Sequence, residues 1–159
     1  MVSTPIGNLG DMTLRAIETL RGVSVILAED TRLSRRLLER YEITTPVEAY
    51  HAHNEARVTP KIIARLREGE SFALITDAGT PLLSDPGSRL VRAAIEAGVA
   101  VSPVPGPSAL LAALVASGID VDRFTFFGFL PRKGGERAEA MSAIMALPHA
   151  AVLYEAPTR

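Results

Sequence analysis

The stretch Ala73 to Ser88 reads Ala-Leu-Ile-Thr-Asp-Ala-Gly-Thr-Pro-Leu-Leu-Ser-Asp-Pro-Gly-Ser and constrains the fold more than any other part of the chain. Phe72 to Ile75 is a short apolar run bounded by turn residues, the pattern of a buried strand. Thr76 to Asp85 is rich in small and polar residues without periodicity, so it reads as a loop. Asp85-Pro86 then opens a helix, with Asp as N-cap and Pro at the first helical position. A loop that leaves the carboxyl end of a strand and enters a helix lies where open α/β sheets bind ligands. Its ten residues are long for a plain connection. Gly79 ahead of Thr80-Pro81 makes a constrained backbone that displays amides and carbonyls.

The same alternation runs through the first 120 residues. Met1 to Thr4 reads as the last residues of a strand, followed by the turn-rich loop Pro5-Ile6-Gly7-Asn8-Leu9-Gly10-Asp11. Asp11 caps a predicted helix through Arg21, with Leu14, Ile17 and Leu20 at helical spacing. Val23 to Ala28 is a second buried strand ending in Glu29-Asp30-Thr31-Arg32, and an Arg-rich helix follows from Leu33 to Tyr41. Thr45 to Tyr50 is a third strand, which Pro46 places at an edge or a strand start. Thr59-Pro60 starts a helix that Gly69 stops. Arg89 to Ala97 is helical with Gly98 as its stop, Val99 to Val104 is a strand, and Pro105-Gly106-Pro107-Ser108 turns it into the apolar helix Ala109 to Ala116. Strands alternating with helices predict an open, mostly parallel α/β sheet with helices on both faces over residues 1–120. A linker at Asp120 to Arg123 leads to an aromatic strand, Phe124 to Leu130, and a polar loop, Arg132 to Glu136. Helix Met141 to Leu147 and strand Ala150 to Tyr154 follow. Residues 121–159 thus begin a second α/β domain that is cut off before it closes a core.

A chain of 159 residues buries one proper core with little left for a second. The absence of cysteine excludes disulfides and thiolate metal sites and fits a cytoplasmic protein. No apolar run approaches membrane-spanning length, and no basic segment followed by a signal-like core opens the chain, so no membrane partner is expected. The net charge of -1 gives no push towards nucleic acid. Fifteen of the 17 basic residues are nonetheless Arg, which suits planar and phosphate partners better than Lys. They gather at Arg32, Arg35, Arg36 and Arg40 and, with Lys133, at Arg132 and Arg137. A solvated helix face produces the same clustering.

Pro5 to Asp11 lacks the G-x-G-x-x-G pattern and the Lys-Ser/Thr of a phosphate loop. That disfavours a pyrophosphate cradle and leaves room for a substrate or a sulfonium cofactor to approach the backbone. His51 and His53 alternate, so in a strand they share one face, with Asn54 and Glu55 beside them. They make a polar cleft wall rather than a metal site, since no fourth ligand is apparent. Glu29 and Asp30 end a strand where a charge serves no core purpose, which suits binding or proton transfer; Asp30 equally suits the cap of the Arg-rich helix. Ser34, Ser84 and Ser108 occupy no G-x-S-x-G elbow, so acyl-transfer hydrolysis lacks support.

Taken together, Thr4-Pro5-Ile6-Gly7-Asn8-Leu9-Gly10-Asp11, Ala28-Glu29-Asp30-Thr31-Arg32, His53-Asn54-Glu55, Asp77-Ala78-Gly79-Thr80-Pro81 and Ser84-Asp85-Pro86-Gly87 form an ordered set. Pro105-Gly106-Pro107-Ser108-Ala109, Phe127-Gly128-Phe129-Leu130-Pro131-Arg132-Lys133 and Tyr154-Glu155-Ala156-Pro157 continue it. The set resembles the tetrapyrrole methylase superfamily, in the branch of bacterial 16S ribosomal RNA cytidine 2'-O-methyltransferases. The resemblance implies a two-domain fold with S-adenosylmethionine in the cleft between domains and no metal. It places the cofactor against Pro5, Gly7, Leu9, Asp11, Asp77, Ala78, Gly79, Leu82, Pro107, Ser108 and Ala109. Glu29, Asp30, His53 and Glu55 are the candidates to take the ribose proton, unranked by sequence. Arg32, Arg35, Arg36, Arg132 and Lys133 are the candidates for RNA contact. Members of the family run on into a complete second domain, so this chain is expected to be a fragment, silent in catalysis by itself. A homodimer is expected, through the α/β domain or through the Phe124, Phe126, Phe127 and Phe129 strand, which exposes apolar surface unless another chain covers it. The alternatives are a methylase of a precorrin or diphthamide intermediate, and a non-catalytic RNA-binding module.

Overall fold

The computed structural model describes residues 1–156; Pro157, which closes the last motif, and the two residues after it lie outside the described residues. The chain gathers into two compact units, Met1–Ser108 and Ala109–Arg159.

The first unit is organised on β1 (Val25–Ala28), whose four residues are all buried. It pairs in parallel with β2 (Val47–Ala49) on one side and β3 (Phe72–Leu74) on the other, giving the order β2-β1-β3. A parallel strand covered on both faces must be apolar at every position, and Val-Ile-Leu-Ala meets that demand. Successive side chains point to opposite faces. Ile26 and Ala28 join Ala16 and Leu20 of α1 (Leu14–Gly22) and Leu37 and Leu38 of α2 (Thr31–Arg40). Val25 and Leu27 join Tyr50, Ile62 of α3 (Glu55–Arg67) and Leu90 of α4 (Ser88–Glu96). Leu20, Ile26, Leu27, Ile62 and Ile75 are among the largest fully buried side chains, each contributing about 1.5–3 kcal/mol.

Beyond β3 the N-terminal segment continues the ladder. Val2 N–H donates to Leu74 O at 2.9 Å, and Val2 forms a parallel bridge with Val104. The segment Val99 to Val104, expected as a strand, pairs in this way only at Val104. The Met1 ammonium donates to Ser102 O at 3.0 Å.

Several helix starts differ from the sequence expectation. Thr13, not Asp11, caps α1, accepting from Ala16 N–H, while Leu9–Asp11 forms a 3-10 turn. Helix α3 starts at Glu55, so Pro60 lies inside it. The Thr59 hydroxyl is buried against the Tyr50 hydroxyl at 2.9 Å instead of capping. Asn54 anchors the earlier start through Ala49 O and His51 N–H. Gly87, not Asp85, caps α4.

In the second unit, α5 (Ala109–Ala116) precedes β4 (Phe124–Phe129), α6 (Gly135–Met145) and β5 (Ala150–Tyr154). Strands β4 and β5 pair in parallel around α6, with a register shift between Phe126 and Phe129. Tyr154 packs edge-on to Phe126 at 4.9 Å. Helix α6 begins at Gly135, six residues before the expected Met141, because Glu136 to Glu139 already hold helical backbone.

Gly87 tests how closely the strand-to-helix turn is packed. Its φ is +129°, and a Cβ there would stand 2.5 Å from Leu74 Cδ2, a buried core atom. Gly87→Ala is expected to cost about 1–3 kcal/mol in urea unfolding. Gly98→Ala, where φ is +73° and nothing lies within 4 Å, should cost less. Equal losses would show that backbone strain alone sets the effect.

Candidate functional site

Four chain segments run out at the carboxyl edge of the first sheet: Thr4 into Pro5, Ala28 into Glu29, Leu74 through Ile75 into Thr76, and Val104 into Pro105. Backbone and hydroxyl hydrogen bonds stitch three of these loops together. Thr4 N–H donates to Gly79 O at 2.9 Å and Gly79 N–H donates to Thr4 O at 3.0 Å, an antiparallel bridge that turns the central loop back over the strand ends. The buried Thr4 hydroxyl donates to Thr76 O at 3.1 Å. The Thr80 hydroxyl donates to Pro107 O at 3.2 Å and accepts from the Ser3 hydroxyl at 3.2 Å. Gly79 adopts φ +83°, and a Cβ on it would meet Ile6 Cγ2 at 3.4 Å and Pro107 O at 3.9 Å. Only glycine takes that conformation without strain and keeps the space above the bridge open.

The loop beyond Gly79 is strained. Leu82 and Ser84 hold φ of +73° and +71°, a region that side chains other than glycine rarely occupy and that clusters at functional sites. Pro5 is buried, whereas Gly7, Leu9 and Asp11 are exposed in a loop. The Asn8 side chain accepts from Gly10 N–H, and the Tyr41 hydroxyl donates to Leu9 O.

Three carboxylates crowd this edge. Burial raises Glu29 above the ordinary carboxylate range, with Asp77 and Asp85 adding to the effect. Burial and Asp77 likewise raise Asp85, against a hydrogen bond from Thr76. Asp77 Oδ1 accepts the Asp30 N–H at 3.0 Å. Asp30 behaves oppositely: its hydrogen bonds with the Arg32 side chain and backbone lower it to about 2. It caps α2 through Arg32 N–H at 2.8 Å and pairs with the Arg32 guanidinium at 3.0 Å. The edge is negative, with arginines beginning where α2 begins.

The structure thus brings together Pro5, Asp77, Ala78, Gly79, Pro107 and Ser108, with Glu29 and Asp30 alongside. His51 and His53 follow β2 in a turn, not on one strand face; their rings lie 6.0 Å apart at 61°. His53 is exposed, and Glu55, at the first position of α3, faces Arg89 at 3.7 Å. Neither bonds to the loops around Gly79. Arg35 and Arg36 are exposed on α2. In the second unit, Ala109 opens α5, and Arg132 and Lys133 are exposed between β4 and α6. Among the described residues no group of three His, Asp or Glu is placed to hold a metal ion, and no helix is long and apolar enough to cross a membrane. Sequence reasoning passed over Ser3, Thr4, Thr80 and Asp85. The hydroxyls flanking a glycine loop were a usable signal. Asp85 was hidden by its resemblance to a helix cap.

An open parallel sheet with ligand-competent loops knotted at its carboxyl edge defines the class. The chain belongs to the tetrapyrrole (corrin/porphyrin) methylases, whose family model matches residues 1–159. It is 55% identical over 159 residues to a "Ribosomal RNA small subunit methyltransferase I" of Mesorhizobium japonicum, covering all of this chain and 54% of that protein. Proteins of the same name from Xylella fastidiosa and Escherichia coli O157:H7 are 54% and 48% identical, again over the whole chain and 58% and 56% of theirs. The chain therefore spans little more than half the length of these relatives. Among solved structures, uroporphyrin-III-C-methyltransferase from Thermus thermophilus aligns with a TM-score of 0.60 at 26% identity, over 82% of this chain and 61% of that one. A diphthine synthase aligns with a TM-score of 0.69 at 15% identity, over 98% and 64%, and shares the fold.

The carboxylate cluster has a consequence for stability. A raised carboxyl group binds its proton more tightly in the folded chain than in the unfolded one. Its stabilising contribution is complete below the unfolded value near pH 4 and declines as pH rises through the raised folded value. Asp85→Asn is therefore expected to raise the thermal midpoint above the parent's at neutral pH, with the difference closing towards pH 4. A difference independent of pH would mean that the substitution acts through packing.

Proposed function

We propose that this chain carries the cofactor-binding part of an enzyme that methylates the 2'-hydroxyl of a cytidine in 16S ribosomal RNA, using S-adenosylmethionine, in the cytoplasm and as a homodimer. The observation that carries the reading is the knot of small-residue loops at Thr4 and Gly79, set beside uncompensated carboxylates. Such an edge repels phosphate and favours a cationic ligand. A sulfonium cofactor with an amino-acid end fits that charge and the open backbone above Gly79. Identity over the whole of this chain, and over little more than half of theirs, to proteins named as small-subunit ribosomal RNA methyltransferases supports the substrate.

Pro5, Gly7, Leu9, Asp11, Asp77, Ala78, Gly79, Leu82, Pro107, Ser108 and Ala109 would hold the cofactor, which supplies an electrophilic methyl group. The rest of the chemistry falls to the chain: aligning the ribose hydroxyl and taking its proton. Of the four candidates, Asp30 is held ionised by its cap and by Arg32, Glu55 faces Arg89, and His53 is exposed. Glu29 is half-buried, raised, and without an ion pair among the described residues, which suits a proton acceptor. The test is transfer of labelled methyl to small subunits lacking the modification, in a protein of the relatives' length carrying these residues, with the product nucleoside identified. Label on a cytidine ribose is expected. Label on a base, or transfer to a precorrin or diphthamide intermediate instead, overturns the substrate. Glu29→Gln should lower the rate about 100-fold or more with cofactor affinity kept, and an unchanged rate removes Glu29 from the chemistry.

Arg32, Arg35 and Arg36 would meet RNA phosphates, with Arg132 and Lys133 as further contacts. Arg32 is shared with Asp30, so Arg35 and Arg36 are the freer pair. Replacing both with Ala should lower the slope of log affinity for the subunit against log salt by about 2, leaving cofactor affinity unchanged. An identical slope would make this an ordinary solvated helix face.

A further inference from the structure

Among the described residues, two buried side-chain atoms lack a hydrogen-bond partner, Ser34 Oγ and His51 Nδ1. Buried polar atoms are paired as a rule, so each exception calls for a physical account. Both belong to the β1–α2–β2 part of the first unit, and the backbone brings them to one corner of it. Ser34 stands one turn into α2, where its N–H donates to Asp30 O at 3.1 Å. It is 5% exposed and shares the inner face of the helix with Leu37 and Leu38.

His51 leaves the end of β2. Ala49 is in register with Ala28, and Tyr50 N–H still donates to Ala28 O at 2.8 Å, so the pairing runs on to Tyr50. Alternate residues of β2 take opposite faces. Val47 packs against the α1–α2 cluster, whereas Glu48 pairs with Arg65 of α3 and Tyr50 belongs to the cluster of Ile62. Carried one residue further, the alternation sets His51 beside Asp30, on the side of α2 and level with its first turn. Helix α2 packs against β2 there. The imidazole is half-buried: Nδ1 is enclosed, while Nε2 is open to solvent and unbonded.

We propose that Ser34 and His51 form a hydrogen-bonded pair, direct or through one water, which keeps the neutral imidazole protonated on Nε2, and that this Nε2–H donates to a sugar–phosphate oxygen of the bound RNA. The direction follows from counting protons. The hydroxyl has one to place, and the neutral ring has one on either nitrogen. A proton on Nδ1 would go to Oγ and leave the hydroxyl proton buried without an acceptor. A hydroxyl that donates to a bare Nδ1 serves both buried atoms and puts the ring proton where solvent and ligand reach it. Ser34 is then a positioning residue, and His51 is the group that touches the ligand. The ligand follows from the place, since this corner adjoins the start of the helix that carries the exposed Arg35 and Arg36. The inference rests on the RNA substrate proposed above.

Ring-nitrogen NMR of this chain with isotope-labelled histidine, at about pH 8 and so above the ordinary imidazole range, reads the tautomer. His51 should carry its proton on Nε2. Ser34→Ala should give a mixture of tautomers, and Ser34→Thr, which keeps the hydroxyl, should restore the single form. A proton on Nδ1 in the parent, or a pattern that Ser34→Ala leaves unchanged, overturns the pair. In a protein of the relatives' length carrying these residues, His51→Ala should weaken binding of small subunits lacking the modification about 3- to 10-fold. The salt slope and the cofactor affinity should stay as they are, because a neutral donor displaces no counterion. His51→Gln, which offers an amide N–H close to the place of Nε2, should recover most of the loss. Unchanged binding, or a loss that His51→Gln does not reduce, overturns the RNA contact. The proposed reaction fails separately: binding that falls with His51→Ala in a parent that labels no ribose supports this contact and refutes the methylation.

Discussion

Two backbone hydrogen bonds between Thr4 and Gly79 hold the first unit's working edge together. They join residues 75 positions apart, so their formation waits for the N-terminal segment to dock beside β3. Once made, they fix where the central loop turns back, and the Thr80 hydroxyl then reaches Pro107. Everything at this edge inherits its position from that pair: the loop after Pro5, the strained Leu82 and Ser84, and the carboxyl groups that face one another across Thr76. A side chain at Gly79 would be strained at φ +83°, which is why the smallest residue stands at the busiest crossing.

Charge is laid out along the same edge with some economy. Glu29, Asp77 and Asp85 repel one another where the backbone is open, and a ligand cation relieves that repulsion. Asp30 is drawn the other way, into the first turn of α2, where it satisfies helix amides and steadies Arg32. The near-zero net charge of the chain conceals this separation. What a ligand or a nucleic acid meets is the local field, and here its sign changes within one turn of helix.

Much of this was legible in the sequence, for reasons that are local. The all-apolar run Val25 to Ala28, the stop at Gly98, the cap at Asp30 and the strand Ala150 to Tyr154 each follow from a few neighbouring residues. Two of the misplaced boundaries share one cause, a distant partner overriding a local signal. Thr59-Pro60 reads as a helix start until Tyr50 claims the Thr59 hydroxyl. Asp85-Pro86 reads as another until Gly87 must fit beneath Leu74 and Leu82. Val99 to Val104 has the composition of a strand, but a strand is a property of pairs. At the site, the loops announced themselves by glycine and proline, and the motifs by their order. The Thr4–Gly79 bridge and the role of Asp85 did not, because both arise from contacts across the fold.

The short strand β1 also sorts the two acids that follow it. Ile26 and Ala28 lie on the α1–α2 face and Val25 and Leu27 on the α3–α4 face. The alternation therefore sends Asp30 towards α2 and Glu29 towards Asp85. Two chemically similar neighbours are given unlike environments by nothing more than parity along the chain. A residue gained or lost within Val25 to Ala28 would reverse which sheet face each following side chain takes, and with it the surroundings of both carboxyl groups. The spacing of this strand is thus part of the site's chemistry.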